Sequence, residues 1–356
     1  MRNRSSLVAL AVVLAALAAL PIVAVLGRGL APGHGQVWAH LAATILPGLV
    51  ANTLALVVLV GAGVAFGGTV TAWLVTNRRF PGARFFEWAL LLPLAMPAYV
   101  MAYAYTEWLD YVGPVQTALR HAFNWSKGDY WFPDVRSLGG AAAMFIAVLY
   151  PYVYLLARTA FLERPASLIE AARTMGLDAR RAFWRIDLPL ARPAVAGGVA
   201  LALMETLADY GTVAYFAVDT FTTGIYRAWF SLGDKVAAAQ LSAALLAFVI
   251  GAVLLEQWSR GAARAARGGR MRSPKAPPQP RLYGWRAWLA TLICAAPIVI
   301  GFALPLLLLG RLALSEPGLP GAARFGELAW NSFRVSGVTA CLAVVFAIVV
   351  AYAVRL

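Results

Sequence analysis

Charge is scarce in this sequence. Of its 356 residues, 13% are Asp, Glu, Lys or Arg, where a soluble chain carries about a quarter. The deficit runs the whole length of the chain, so lipid rather than water is the solvent for most residues. Cysteine is scarcer still. Cys294 and Cys341 both fall in apolar runs, which excludes a disulfide framework and a CxxC metal or redox site. The histidines His34, His40 and His121 have no metal-ligand spacing. There is no HExxH, no GxSxG and no paired histidine, so the motifs of a membrane enzyme are missing. No catalytic residue and no metal ligand is assigned.

What is abundant is apolar: 61% of residues are hydrophobic. A helix needs roughly 20 apolar residues to cross a bilayer. Eight runs qualify, near Leu7–Leu26, Leu49–Val75, Trp88–Tyr105, Gly139–Phe161, Pro193–Phe216, Val236–Trp258, Ala287–Leu309 and Leu328–Val354. The first follows Arg2 and Arg4 like a signal peptide, but it is long and similar runs follow it. It reads as an uncleaved first span.

The 30 basic and 16 acidic residues give a net charge of +14. The basic residues cluster between apolar runs, as in cytoplasmic membrane loops, and do not form a soluble basic face. Nucleic acid is therefore not an expected partner; the lipid bilayer is. With the N-terminus cytoplasmic, 21 of the 30 basic residues lie on the inner side, which is the arrangement the positive-inside rule favours. Two segments on the opposite side, Glu107–Leu138 and Tyr210–Lys235, are rich in aromatics. They suit interfacial anchoring and contact with an external partner about equally.

Residues 259–284 are basic and Gly-rich, then Pro-rich, and read as a cytoplasmic linker that buries no core. Beyond it the pattern restarts. Asn52–Leu54 (N-T-L) recurs as Asn331–Phe333 (N-S-F), and Ala72–Val75 (A-W-L-V) as Ala351–Val354 (A-Y-A-V), both at an offset of 279. This predicts a first repeat over 1–258 with six spans, and the start of a second over 285–356 that is cut off at Leu356.

Residues 163–189 read E-R-P-A-S-L-I-E-A-A-R-T-M-G-L-D-A-R-R-A-F-W-R-I-D-L-P. The pattern predicts two short helices with a bend. Pro165 suits a helix start, and Ser167 with Glu170 forms a capping box. Gly176 sits where a left-handed cap ends the first helix. Asp178 caps the second and Pro189 stops it. Ala171 and Ala172 are small enough for another surface to approach closely.

This segment resembles the EAA loop of ABC importer permeases. Glu170, Ala171, Ala172, Gly176, Ile186, Leu188 and Pro189 match the family pattern E-A-A, three residues, G, nine residues, I-x-L-P at every position. The resemblance implies an all-α polytopic membrane protein of the type I (MetI-like) ABC importer transmembrane fold, with about eight transmembrane helices in the cell inner membrane. It implies that the loop docks on an ABC ATPase dimer and that a periplasmic substrate-binding protein delivers the cargo. No Walker A motif is present, so this chain is not itself an enzyme and binds no cofactor, and ATP is used by the partner subunit. Leu92–Pro114 and Met204–Phe230 further resemble ferric iron permeases, a subfamily that commonly fuses two repeats. That resemblance runs from about Leu49 to Leu356 and lacks the remainder of the second repeat.

Glu205 and Asp209 lie four apart in the fifth run, and Tyr210 follows. An intramembrane carboxylate normally faces a cavity or a partner, and ferric ion prefers carboxylate and phenolate oxygen. These three are candidates for the translocation pathway. The competing reading pairs Glu205 within the bundle and leaves Asp209 at the outer interface. Glu107 and Asp110 read better as solvated interface residues, and Pro93 and Pro97 as a kink. Thiamine, sulfate or a phosphonate are the alternative cargoes. A secondary transporter without an ATPase would not need the capped loop.

Overall fold

The computed structural model describes residues 2–29, 43–126, 128–164, 174, 176, 178–264, 279–315 and 321–355. Among these residues there is no strand, only an isolated bridge between Arg79 and Arg281. The chain forms two compact units, residues 1–35 with 310–356, and residues 36–309. In the first, α1 (Arg2–Gly29) packs on α13 (Ala322–Arg355). Both expose apolar side chains along their length, among them Leu17, Val23, Phe333 and Ile348.

The second unit begins with α2 (Leu46–Asn77), α3 (Ala83–Ala89), a 3-10 turn (Leu92–Ala95), α4 (Ala98–Leu109), α5 (Pro114–Phe123) and α6 (Leu138–Leu162). A helical turn at Ala179–Ala182 and a π turn at Phe183–Asp187 lead into α7 (Leu188–Ala208). Then come α8 (Gly211–Tyr215), α9 (Phe221–Tyr226), α10 (Lys235–Arg264), α11 (Trp285–Ile298) and a π turn (Val299–Ala303), and the division between the units falls within α12 (Leu304–Ser315), at Gly310.

Helices α2, α6 and α7 form the centre of this unit. Val60, Val64, Phe145, Tyr150, Tyr154 and Phe161 are buried there. Both α2 and α7 come close to α6 at Val153. A Cβ on Gly68 would sit 2.6 Å from the Val153 Cβ, and one on Gly198 2.6 Å from the Val153 Cα. Small residues at these positions allow backbones to meet where the hydrophobic effect gives helices little reason to associate.

The eight predicted runs all fall on helices, with differences in form. Among the described residues, six helices are long and apolar enough to cross a membrane, and a bent pair makes up to seven. The apolar stretch of α10, Lys235–Gly251, is shorter. The third run is interrupted at its prolines, more sharply than by a simple kink. Ala83–Ala95 and Ala98–Phe123 meet at 87°. Met96, which precedes Pro97, is extended (φ −97°, ψ 114°), as is Pro97 (φ −61°, ψ 134°), because a proline ring disfavours the helical region for its predecessor.

The break leaves carbonyls without helical partners, and lipid would supply none. Two tyrosines of α6 fill the gap: the Tyr150 hydroxyl donates to the Leu90 carbonyl and the Tyr154 hydroxyl to the Glu87 carbonyl, each at 2.9 Å. The π turn at Val299–Ala303 is served similarly. In π register the Ile300 carbonyl would look to residue 305, which is a proline without an N–H. The Tyr105 hydroxyl donates to it instead, at 2.7 Å.

The glycine contacts generate a direct test. Gly68→Val and Gly198→Val should each destabilise the unit by about 1–3 kcal/mol through overpacking. Gly251→Ala, where nothing lies within 4 Å of the new Cβ, should change stability little. Thermal unfolding of the detergent-solubilised protein measures all three.

Candidate functional site: the 163–189 segment and the ends of α7

Glu170, Ala171 and Ala172, with Pro165 and Ser167, lie outside the described residues. The rest of the motif is placed. Gly176 is exposed with φ +74°, the left-handed backbone that favours glycine. Asp178 caps the helical turn after it, its Oδ1 accepting the Arg181 N–H at 2.7 Å. Ile186, Leu188 and Pro189 lie partly buried at the entry to α7.

Pro189 does not stop a helix there. The helical chain runs on to Ala208 through the π turn at Phe183–Asp187. A proline ring clashes with the carbonyl one turn back in a regular helix. The wider turn, closed by the Leu188 N–H on the Phe183 carbonyl, lets the helix continue.

The base of the segment is closed by residues that the motif does not contain. Arg164, just past α6, forms an ion pair with Asp187, and their side chains are only 7% and 8% exposed. Arg164 also donates to the Asn77 side-chain carbonyl on α2. The Trp73 Nε1 donates to the second Asp187 oxygen at 3.0 Å. Phe183 meets the Trp73 ring edge-on at 5.3 Å, and the Arg78 guanidinium lies 5.1 Å from it. In the sequence alone Arg164 is one basic loop residue among many, and Asp187 has no assigned role. The available signal was a carboxylate held between apolar Ile186 and Leu188 at the mouth of a span.

The described end of the linker reaches the same end of α2. Gln279 Nε2 donates to the Thr76 carbonyl at 2.9 Å, the Arg79 N–H to the Pro280 carbonyl at 3.2 Å, and the Leu282 N–H to the Arg79 carbonyl at 2.9 Å. Residues 265–278 of the linker lie outside the described residues.

At the other end of α7 the pathway candidates separate. Glu205 is exposed on the helix. Asp209 is not on the helix, because α7 ends at Ala208 and Asp209 is extended (ψ 130°). Its Oδ1 accepts the Thr212 N–H at 2.8 Å and its Oδ2 the Thr212 hydroxyl at 3.1 Å, so it caps α8. Tyr210 is exposed and stacks on Tyr226, ring centroids 4.3 Å apart. Asp110 pairs with Arg136 at 3.4 Å, both substantially exposed. Among the described residues, no three His, Cys, Asp or Glu side chains gather as metal ligands.

A helical, multi-span bundle with a long polar segment between two central spans is the architecture of a polytopic integral-membrane protein. The chain belongs to the family of binding-protein-dependent transport system inner membrane components, whose model matches residues 63–260. It is 26% identical to an Fe(3+)-transport system permease protein, FbpB 2 of Haemophilus influenzae, over 86% of this chain and 56% of that one. It is 29% identical to a probable sulfate transport system permease of Chlorokybus atmophyticus, over 56% and 66%. It is 26% identical to the molybdenum transport system permease ModB of Escherichia coli, over 54% and 83%. The chain thus spans less than two thirds of the length of the first two. The crystal structure of a bacterial alginate ABC transporter, in complex with an alginate pentasaccharide-bound periplasmic protein, shares the fold. Its TM-score is 0.54 at 16% identity, covering 75% of this chain and 96% of that one.

The capping geometry at Asp209 predicts a split between substitutions. Asp209→Ala should lower stability by about 1 kcal/mol through loss of the cap. Asp209→Asn, which keeps an acceptor for the Thr212 N–H, should retain most of that stability. Melting of the purified variants in detergent distinguishes the two.

Proposed function

We propose that this chain is the permease of an ABC importer that carries ferric iron from a periplasmic substrate-binding protein to the cytoplasm. A separate ABC ATPase dimer hydrolyses the ATP, and the N-terminus is cytoplasmic. The observation that carries this reading is the motif from Glu170 to Pro189, set between the central helices α6 and α7. Its small, charged-flanked surface suits docking in a groove of the ATPase. Glu205 and Tyr210 are the residues we place along the cargo route, with Asp209 shaping the turn between them and α8.

Iron is favoured by reach. The iron relative aligns over 308 residues, which is long enough to cross the linker into the second apolar block. The sulfate and molybdenum relatives align over 198 and 197. Those two support a second reading, the same permease with an oxyanion cargo, because their identities of 29% and 26% equal or exceed that of the iron relative, 26%.

The two-repeat organisation is part of the proposal, with a first repeat over 1–258, the linker over 259–284 and the start of a second over 285–356. Shifted by 279 residues, α2 falls on 325–356, and α13 occupies Ala322–Arg355. The same shift carries α1 onto 281–308, where α11 begins at Trp285.

A strain lacking its own gene, complemented with the full-length gene, tests the cargo. Labelled ferric iron should accumulate and labelled sulfate and molybdate should not; the reverse pattern overturns iron. Gly176→Asp should abolish uptake by spoiling ATPase docking while membrane insertion stays normal, and unchanged uptake would count against the docking role.

A further inference from the structure

The cluster at the base of the 163–189 segment is more polar than packing requires. Arg164 and Asp187 stand 23 positions apart and bracket the whole docking segment. Their pair is buried, and Asn77 and Trp73 pin it to α2. A buried ion pair is seldom worth more to stability than well-packed apolar side chains, because desolvation offsets the attraction. Its distinctive property is direction. A charged pair with two further hydrogen bonds has one geometry, whereas apolar contacts slide. Here the geometry ties three elements at one point: the end of α6, the π turn that opens α7 and the last turn of α2.

We infer that Arg164, Asp187, Asn77 and Trp73 form a clasp that fixes the two ends of the docking segment to α2 and α7, so that a displacement passed to those ends moves the helices instead of flexing the base of the loop. The inference rests on the docking role proposed above. These are positioning residues: they touch neither cargo nor nucleotide, and Arg164 and Asp187 act by fixing how the segment between them is held. The π turn supports the same arrangement. It keeps Phe183 on the Trp73 ring and Asp187 on the Trp73 Nε1, while Trp184 and Arg185 point outward and are exposed. The linker end on Thr76 and Arg79 braces the same turn of α2.

The test uses the full transporter, with ATPase and binding protein, in proteoliposomes, and reads ATP hydrolysis and cargo uptake together. The apolar pair Arg164→Met with Asp187→Leu removes both buried charges, so no unpaired charge is left to unfold the base. Trp73→Phe removes the Nε1 donor and keeps a smaller aromatic ring beside Phe183 and Arg78. Both assembled variants should keep ATP hydrolysis near wild type. The cargo moved per ATP should fall about tenfold in the apolar pair, within the range of couplings of this kind, and by less in Trp73→Phe. An unchanged ratio in both variants, or equal loss of hydrolysis and uptake, overturns the clasp. Failure of both variants to assemble assigns the cluster to folding and also overturns it. Crosslinking of Ala171→Cys to the ATPase reports on docking separately. A crosslink with an unchanged ratio sinks the clasp alone, and no crosslink sinks the docking role beneath it.

Discussion

Hydrocarbon offers a backbone no hydrogen bond, and the larger unit is organised by that constraint. Where its helices are regular, the constraint is met within each helix. Where they are not, a side chain from a neighbouring helix completes the bond. The broken span depends on Tyr150 and Tyr154, whose hydroxyls donate to the Leu90 and Glu87 carbonyls. The π turn ahead of Pro305 depends on Tyr105. The aromatic ring carries the hydroxyl through an apolar layer and buries its own surface on the way. An irregular backbone therefore fixes where its neighbours lie, and α6 becomes the element against which both the break and the α2–α7 contact are set.

That dependence explains which parts of the structure were legible in the sequence. Hydropathy sums over a window of about 20 residues, and it located every long helix. Local caps were equally plain. Asp178 bonds within three residues, and Gly176 needs only its own φ. The 87° turn was not legible in the same way. Pro93 and Pro97 signal an interruption, but its angle is set by what bonds the freed carbonyls, and those tyrosines lie 60 and 67 positions away. Pro189 failed as a stop signal for a related reason. A proline ends a helix only if the turn before it stays regular, and the π turn at Phe183–Asp187 is held open by contact with Trp73.

The site divides the same way. The motif residues were visible because they stand at fixed spacing along one stretch of sequence. The Arg164–Asp187 pair was not, because each looks like an ordinary loop charge until α2 brings Asn77 and Trp73 beside it. Asp209 shows the converse. Its spacing from Glu205 suggested a shared helix face, but Thr212 offers its carboxylate a cap, and a carboxylate just ahead of a new helix start takes that bond in preference to continuing the old helix.

The two ends of α7 have different duties on the proposed reading. At one end Asp187 is buried and paired; at the other Glu205 is exposed. The 18 positions from one to the other span about 27 Å of helix at 1.5 Å per residue. A helix of that length transmits a displacement largely undiminished, provided its near end cannot slip. Fixing Asp187 is thus a condition for moving Glu205. This also separates the two kinds of specificity in the chain. The docking end needs a shape that any ATPase-driven permease of the family shares, so it carries little information about cargo. On the proposed reading, discrimination falls to the other end, at the last turn of α7 and just past it, where Glu205 and Tyr210 lie.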